Sequence, residues 1–113
     1  VTETPILQRI QVAVSEVGAR VFRNQVGKYK LQDGRWLSSG LCVGSSDLIG
    51  WKPVMVTAEM VGKVIAVFTA IEVKTAKTRA TKKQEQFMDA VRDSGGVAFV
   101  ARSEQDALRG LDD

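Results

Sequence analysis

The sequence holds no histidine, a single cysteine and two prolines in 113 residues. Without histidine there is no Ser-His-Asp or Cys-His relay, no HExxH metal site and no His-activated nuclease chemistry. Cys42, standing alone, excludes an intrachain disulfide and any multi-cysteine zinc site. It is compatible with a reducing compartment. The prolines, Pro5 and Pro53, are too few for a Pro-rich linker. No apolar run exceeds five residues, Val64–Phe68 being one such run. A membrane-spanning helix needs about 20. Any catalysis therefore falls to carboxylates, lysine, hydroxyls or a metal ion held by oxygen ligands.

What is present reads as one soluble globular domain over residues 1–113, since 44% of the residues are hydrophobic and 26% charged. There are 16 Lys and Arg against 13 Asp and Glu, a net charge of +3. The distribution is more telling than the sum. Lys74, Lys77, Arg79, Lys82 and Lys83 fall in one ten-residue stretch with no acid. Arg20, Arg23, Lys28, Lys30 and Arg35 fall in another, against Asp33 alone. Each stretch is either a solvated loop or a surface facing phosphates.

Periodicity gives the element order. Ile6, Ile10, Ala13, Val14 and Val17 recur at three- and four-residue steps and predict a helix over Pro5–Val17. Thr2 or Thr4 can cap it, and Gly18 can end it. Ala19–Asn24 reads as a strand. Asp33-Gly34 marks a hairpin tip between Tyr29–Leu31 and Trp36-Leu37. Asp47–Trp51 is a short strand ended by Pro53, and Ala58–Val61 a helical turn. Lys63–Lys74, rich in Val and Ile, predicts a central strand covered on both faces, with Val73 pointing into the core. Thr81 and Gln84 have capping-box spacing ahead of a helix over Lys82–Ser94, whose inner face is Phe87, Met88 and Val91. Gly95-Gly96 ends that helix, Val97–Ala101 is a buried strand, and Ser103 caps a last helix to Leu111. The order is α, β, β, β, α, β, α, with a strand-helix-strand unit near the end and helices on both faces of a mixed sheet. Of the two tryptophans, Trp36 and Trp51, either belongs to the core or stacks on a base. Cys42 reads as a small buried residue.

One constellation carries chemistry. In Ile71-Glu72-Val73-Lys74, alternate residues share a face, so Glu72 and Lys74 point the same way. Alone, such a pair is an ion pair at a sheet rim. Asp47 opens the preceding apolar strand after Gly44-Ser45-Ser46. If the two strands pair, two carboxylates meet, and they repel unless a cation lies between them. Mg²⁺ takes a few carboxylates with waters and phosphate oxygens.

An Asp followed by Glu-x-Lys at the end of the next strand resembles the PD-(D/E)xK nuclease superfamily, and more closely its VRR-NUC branch, the virus-type replication-repair nucleases. The resemblance runs through Glu3, Phe22-Arg23-Asn24-Gln25-Val26-Gly27, Gly40-Leu41, Gly44–Gly50, Glu59–Gly62, Ala66–Phe68, Ile71–Thr75, Gln84 with Phe87, and Gly95-Gly96. The Pro of the superfamily motif is absent before Asp47. The resemblance implies a restriction-endonuclease-like αβββαβ core, a mixed central sheet flanked by helices. It implies that Asp47, Glu72 and the Val73 carbonyl ligate Mg²⁺ or Mn²⁺. Lys74 would orient or deprotonate the attacking water, Glu3 would reach the site from the first helix, and Gln84 would help hold the site or the scissile phosphate. Lys77, Arg79, Lys82 and Lys83 would contact the DNA backbone, and Arg23 and Asn24 would either touch DNA or brace the active-site loop.

The expected activity is that of a divalent-metal-dependent DNA endonuclease. Single-domain relatives of this kind are phage and bacterial proteins that resemble Holliday-junction resolvases in forming homodimers, which suits branched DNA. The expected setting is the cytoplasm of a bacterial or phage-infected cell, with a place in DNA repair and no membrane partner. A non-catalytic DNA-binding module on the same fold is the alternative, as is an RNA-processing nuclease. The intact Asp47, Glu72 and Lys74 speak against a purely binding role.

Overall fold

The computed structural model describes residues 4–112 of the chain, so Glu3 and the capping candidate Thr2 lie outside the described residues. It is a mixed α/β structure that divides into two compact units, Val1–Lys52 and Pro53–Asp113.

The first unit opens with α1 (Thr4–Glu16). Gly18, at φ +90°, ends it as expected, with Ala19 N donating to the Val14 carbonyl at 3.1 Å. The helix turns a different face inward from the expected one. Leu7 is buried, Gln11 and Val14 are half-buried, and Ile6, Ile10, Ala13 and Val17 are exposed. The reason is a polar anchor: Gln11 Nε2 donates to the carbonyl of Val21 at 3.2 Å and sets the rotation of the helix. An apolar stripe could not reveal that bond.

Val21 belongs to β1 (Arg20–Arg23), which pairs antiparallel with β4 (Leu48–Trp51). Phe22 and Trp51 pack as a tilted aromatic pair with centroids 5.5 Å apart. Between these strands, β2 (Gly27–Lys30) and β3 (Trp36–Ser39) form a separate antiparallel hairpin. Its tip is the predicted Asp33-Gly34, with Gly34 at φ +91°. Gly50 lies opposite Val21, where the backbones come so close that an added Cβ would run into the Arg20 carbonyl and the Val21 Cα.

The second unit has a 3-10 turn (Ala58–Met60) followed by β5 (Thr69–Val73), α2 (Lys82–Asp93), β6 (Val97–Ala101) and α3 (Glu104–Asp112). β5 and β6 are parallel and joined through α2, the expected strand-helix-strand unit. The Thr81–Gln84 capping box is formed in both directions. Met88 and Val91 of α2 are buried with Ala98 and Ala101, while Phe87 is more exposed than its place in the pattern implied.

Three expectations fail here. β5 begins at Thr69, not Lys63, and Val64, Ile65 and Val67 are exposed. β-propensity becomes a strand only where a partner backbone runs alongside, and β6 starts at Val97, whose N–H bonds the Phe68 carbonyl at 2.9 Å. Val73, expected in the core, is 75% exposed, because α3 packs on β6 and leaves Ile71 and Val73 of β5 uncovered. The alternation was right and the covered face was the other one. Among the described residues the ladders form three two-stranded sheets, β1-β4, β2-β3 and β5-β6, in place of one mixed central sheet. β4 thus takes β1 as its partner, not β5. Among the described residues, no helix is long and apolar enough to cross a membrane.

Gly50→Ala should lower stability by about 2–3 kcal/mol, the upper range for overpacking, since backbone cannot yield as a side-chain tip can. Gly27→Ala is the control, because its added Cβ meets nothing closer than 3.6 Å. Urea denaturation of the two variants should separate them by a clear shift in midpoint.

Candidate active site

The strand register of β5 sets the chemistry of the second unit. Glu72 and Lys74 lie two residues apart, so both project from one face at the strand's C-terminal end. Glu72 Oε2 is 3.7 Å from Lys74 Nζ. The side chains are 29% and 17% exposed, so both are part-sheltered while still reachable from solvent. The ladder continues one step past β5, with Lys74 N donating to the Ala101 carbonyl at 3.1 Å. The lysine is therefore tied to the sheet through its own backbone.

The turn that follows carries the cations. Thr75 N donates to Thr78 Oγ1 at 3.1 Å, and Thr78 N to the Thr75 carbonyl at 3.3 Å. Arg102, the residue after β6, clamps this turn: its Nη1 donates to the carbonyls of Thr75 and, at 2.6 Å, of Thr78. Lys77, Arg79, Lys82 and Lys83 are all exposed around this turn and the start of α2. Gln84 is half-buried, and its Oε1 accepts from Thr81 N at 2.9 Å, so its side-chain carbonyl already serves the helix cap.

In the first unit, the loop that delivers Asp47 is fixed by Asn24. Its Nδ2 donates to Ser45 Oγ at 2.7 Å and to the Ser46 carbonyl at 2.8 Å, and its Oδ1 accepts from Leu41 N at 2.8 Å. Its backbone N–H donates to the Asp47 carbonyl at 2.8 Å. Ser45 Oγ in turn donates to the Cys42 carbonyl at 2.6 Å. Asp47 itself is exposed, as is Arg23. Cys42 is exposed as well, contrary to the buried position expected of it, because it forms part of this surface loop.

A protein-family model for the VRR-NUC domain matches residues 11–105. The chain belongs to the VRR-NUC family. VRR-NUC domains are nucleases of the PD-(D/E)xK type, and the match runs through both compact units. Comparison with curated proteins and with solved structures returned no match.

Within this VRR-NUC chain, Glu72 and Lys74 are brought together, and Asn24 is engaged with the Asp47 loop through both amide protons. The sequence reading missed Arg102. Its carbonyl partners lie 24 and 27 residues away, and only the β5-β6 register brings them within reach. The nearest signal was its place between a buried strand and the Ser103 cap.

Arg102 also takes part in that cap. Its backbone N–H donates to Asp106 Oδ2 at 2.9 Å, and Asp106 N donates to Ser103 Oγ at 3.1 Å. The Arg102 amide first, and the Arg109 guanidinium second, hold the Asp106 carboxyl below its ordinary value of 3.8. A depressed carboxylate stabilises the fold above its unfolded value and loses that contribution as pH falls through the folded one. The Arg102 amide resonance should therefore shift in acid titration at a pH below 3.8, and Asp106→Asn should abolish the shift. Asn24→Asp keeps the shape but turns two donors into acceptors facing Ser45 and Ser46. It should cost about 1–3 kcal/mol, read as a lower denaturation midpoint and faster amide exchange through residues 41–47.

Proposed function

We propose that this VRR-NUC chain is a divalent-metal-dependent endonuclease that hydrolyses phosphodiester bonds in DNA. The observation that carries the reading is the Glu72–Lys74 pair, part-sheltered on one face of a strand end, in a chain of a nuclease family. An exposed or part-exposed ion pair of this kind contributes only about 0–1 kcal/mol to stability. Stability is therefore a poor reason for placing it beside so many unpaired cations.

The donor chemistry suits a hard cation. Glu72 offers a carboxylate, and the neighbouring backbone offers the Val73 carbonyl. Among the described residues no group of three or more Asp, Glu, His or Cys side chains gathers, and Mg²⁺ is commonly held by one or two carboxylates with water and phosphate oxygens completing its shell. The family resemblance implies Asp47, Glu72 and the Val73 carbonyl as the ligands of Mg²⁺ or Mn²⁺, with Glu3 as a further one. When bound, the ion supplies a water of lowered pKa and neutralises charge on the phosphate.

The chain's own residues do the rest. Lys74 orients or deprotonates the attacking water, and it offsets charge developing on the phosphoryl oxygens. Lys77, Arg79, Lys82 and Lys83 engage backbone phosphates on either side of the scissile bond, with Arg23 as a further contact. Gln84 keeps its Nε2 donors for a phosphate oxygen while its Oε1 serves the cap. Asn24 shapes the Asp47 loop instead of reaching the DNA. A homodimer would set two such sites against symmetric strands, which a four-way junction offers.

The test is cleavage of an end-labelled four-way junction beside linear duplex, with Mg²⁺, Mn²⁺ or EDTA. Metal-dependent, paired symmetric cuts in the junction are expected, together with a mass near twice the 12.3 kDa of one chain. Glu72→Gln should lower the rate by at least about a hundredfold without loss of fold. Equal cutting of both substrates would keep the nuclease and remove the junction preference. Full activity in EDTA or in Glu72→Gln would overturn the site.

A further inference from the structure

The β2-β3 hairpin stands apart in the first unit. Its two strands pair only with each other among the described residues, and an isolated two-stranded ribbon is marginal in water. Yet it displays large side chains. Trp36 is 65% exposed and Tyr29 is 52% exposed. The other tryptophan, Trp51, is half-buried against Phe22, so only one of the two indoles is presented to solvent.

The register fixes what surrounds that indole. Lys30 lies opposite Trp36, and Lys28 lies opposite Ser38, so Lys28, Lys30 and Trp36 share one face of the ribbon. Lys30 Nζ sits 6.0 Å from the Trp36 ring centroid, a cation–π contact that steadies the ring on one side. At the tip, Asp33 accepts from Arg35 Nε at 2.7 Å and from Arg35 N at 3.0 Å. The hairpin's acid is thus neutralised locally, and the lysines set the sign of that face.

We propose that this face is a docking surface for an unpaired DNA strand, with a base stacked on the open side of Trp36 and the flanking phosphates met by Lys28 and Lys30. This rests on the DNA-nuclease reading and extends it to substrate class: an enzyme with a stacking indole outside its catalytic residues favours DNA with unstacked bases, as at a junction or flap. Two lysines beside an exposed indole fit a polyanion with π-faces better than they fit an apolar protein surface.

The experiment uses the full chain carrying Trp51→Phe, so that Trp36 is the sole tryptophan. The probes are oligothymidine, linear duplex and a four-way junction, titrated in EDTA to prevent cutting. Expected are strong quenching of Trp36 emission by oligothymidine and junction, weaker quenching by duplex, and, read by the anisotropy of fluorescein-labelled oligothymidine, roughly tenfold weaker binding in Trp36→Ala with most of it kept in Trp36→Phe. Lys28→Ala with Lys30→Ala should flatten the salt dependence by about one to two charges. Emission unchanged at saturating DNA, in a protein that still cleaves with metal, would overturn the docking surface and leave the nuclease standing. An emission shift that follows protein concentration without DNA would assign the face to a second copy of the chain and overturn the proposal. A wild-type protein that neither binds nor cuts DNA would overturn the nuclease reading itself.

Discussion

In the β5-β6 ladder, Thr69 faces Val97 and Val73 faces Ala101, and the Lys74 N–H donates one further bond to the Ala101 carbonyl. That parallel register is the constraint from which the second unit's chemistry follows. It holds Glu72 and Lys74 on one face at a strand end, where the two-residue repeat alone decides which side chains are neighbours. It carries Arg102 to the turn beyond Lys74, so that the guanidinium can bond two carbonyls of a loop with no regular structure of its own. Through Arg102 it also reaches α3, since the same residue's amide holds the Asp106 carboxylate. Lysine, cationic turn and last helix are thus fastened to one ladder.

The first unit is organised by polar bonds that do comparable work. Gln11 sets the rotation of α1 against β1, and Asn24 holds the loop from Leu41 to Asp47. Neither bond is large alone, at about 1 kcal/mol each. Their effect is to choose one geometry among several that the apolar pattern allows. The close approach of β1 and β4 at Gly50 has the same character, because a single missing side chain lets the strands meet.

Much of this was legible in the sequence, and for identifiable reasons. The capping box at Thr81–Gln84, the Gly18 stop, the Asp33-Gly34 tip and the β6 strand all rest on local stereochemistry, which a short window of residues contains. The Glu72–Lys74 juxtaposition was legible because alternation is a property of any strand. What failed was non-local. Lys63–Val67 has strand composition but no paired strand among the described residues, Val73 faces away from the packed side, and Ile6 and Ile10 gave way to Leu7 because of a bond from Gln11. Arg102 and the engagement of Asn24 depend on contacts between residues more than 15 positions apart, where periodicity is silent. The family resemblance recovered the nuclease assignment, since a motif spread along the chain carries long-range information that local patterns lack.

In the proposed site, Lys74 acts on the reacting phosphate, beyond balancing Glu72. The most direct measurement is the single-turnover cleavage rate of a four-way junction by Lys74→Ala, set beside its affinity for the same junction in EDTA. The expected rate is lower by about a hundredfold or more, with affinity changed by no more than a few-fold. A rate within a few-fold of wild type would contradict that role.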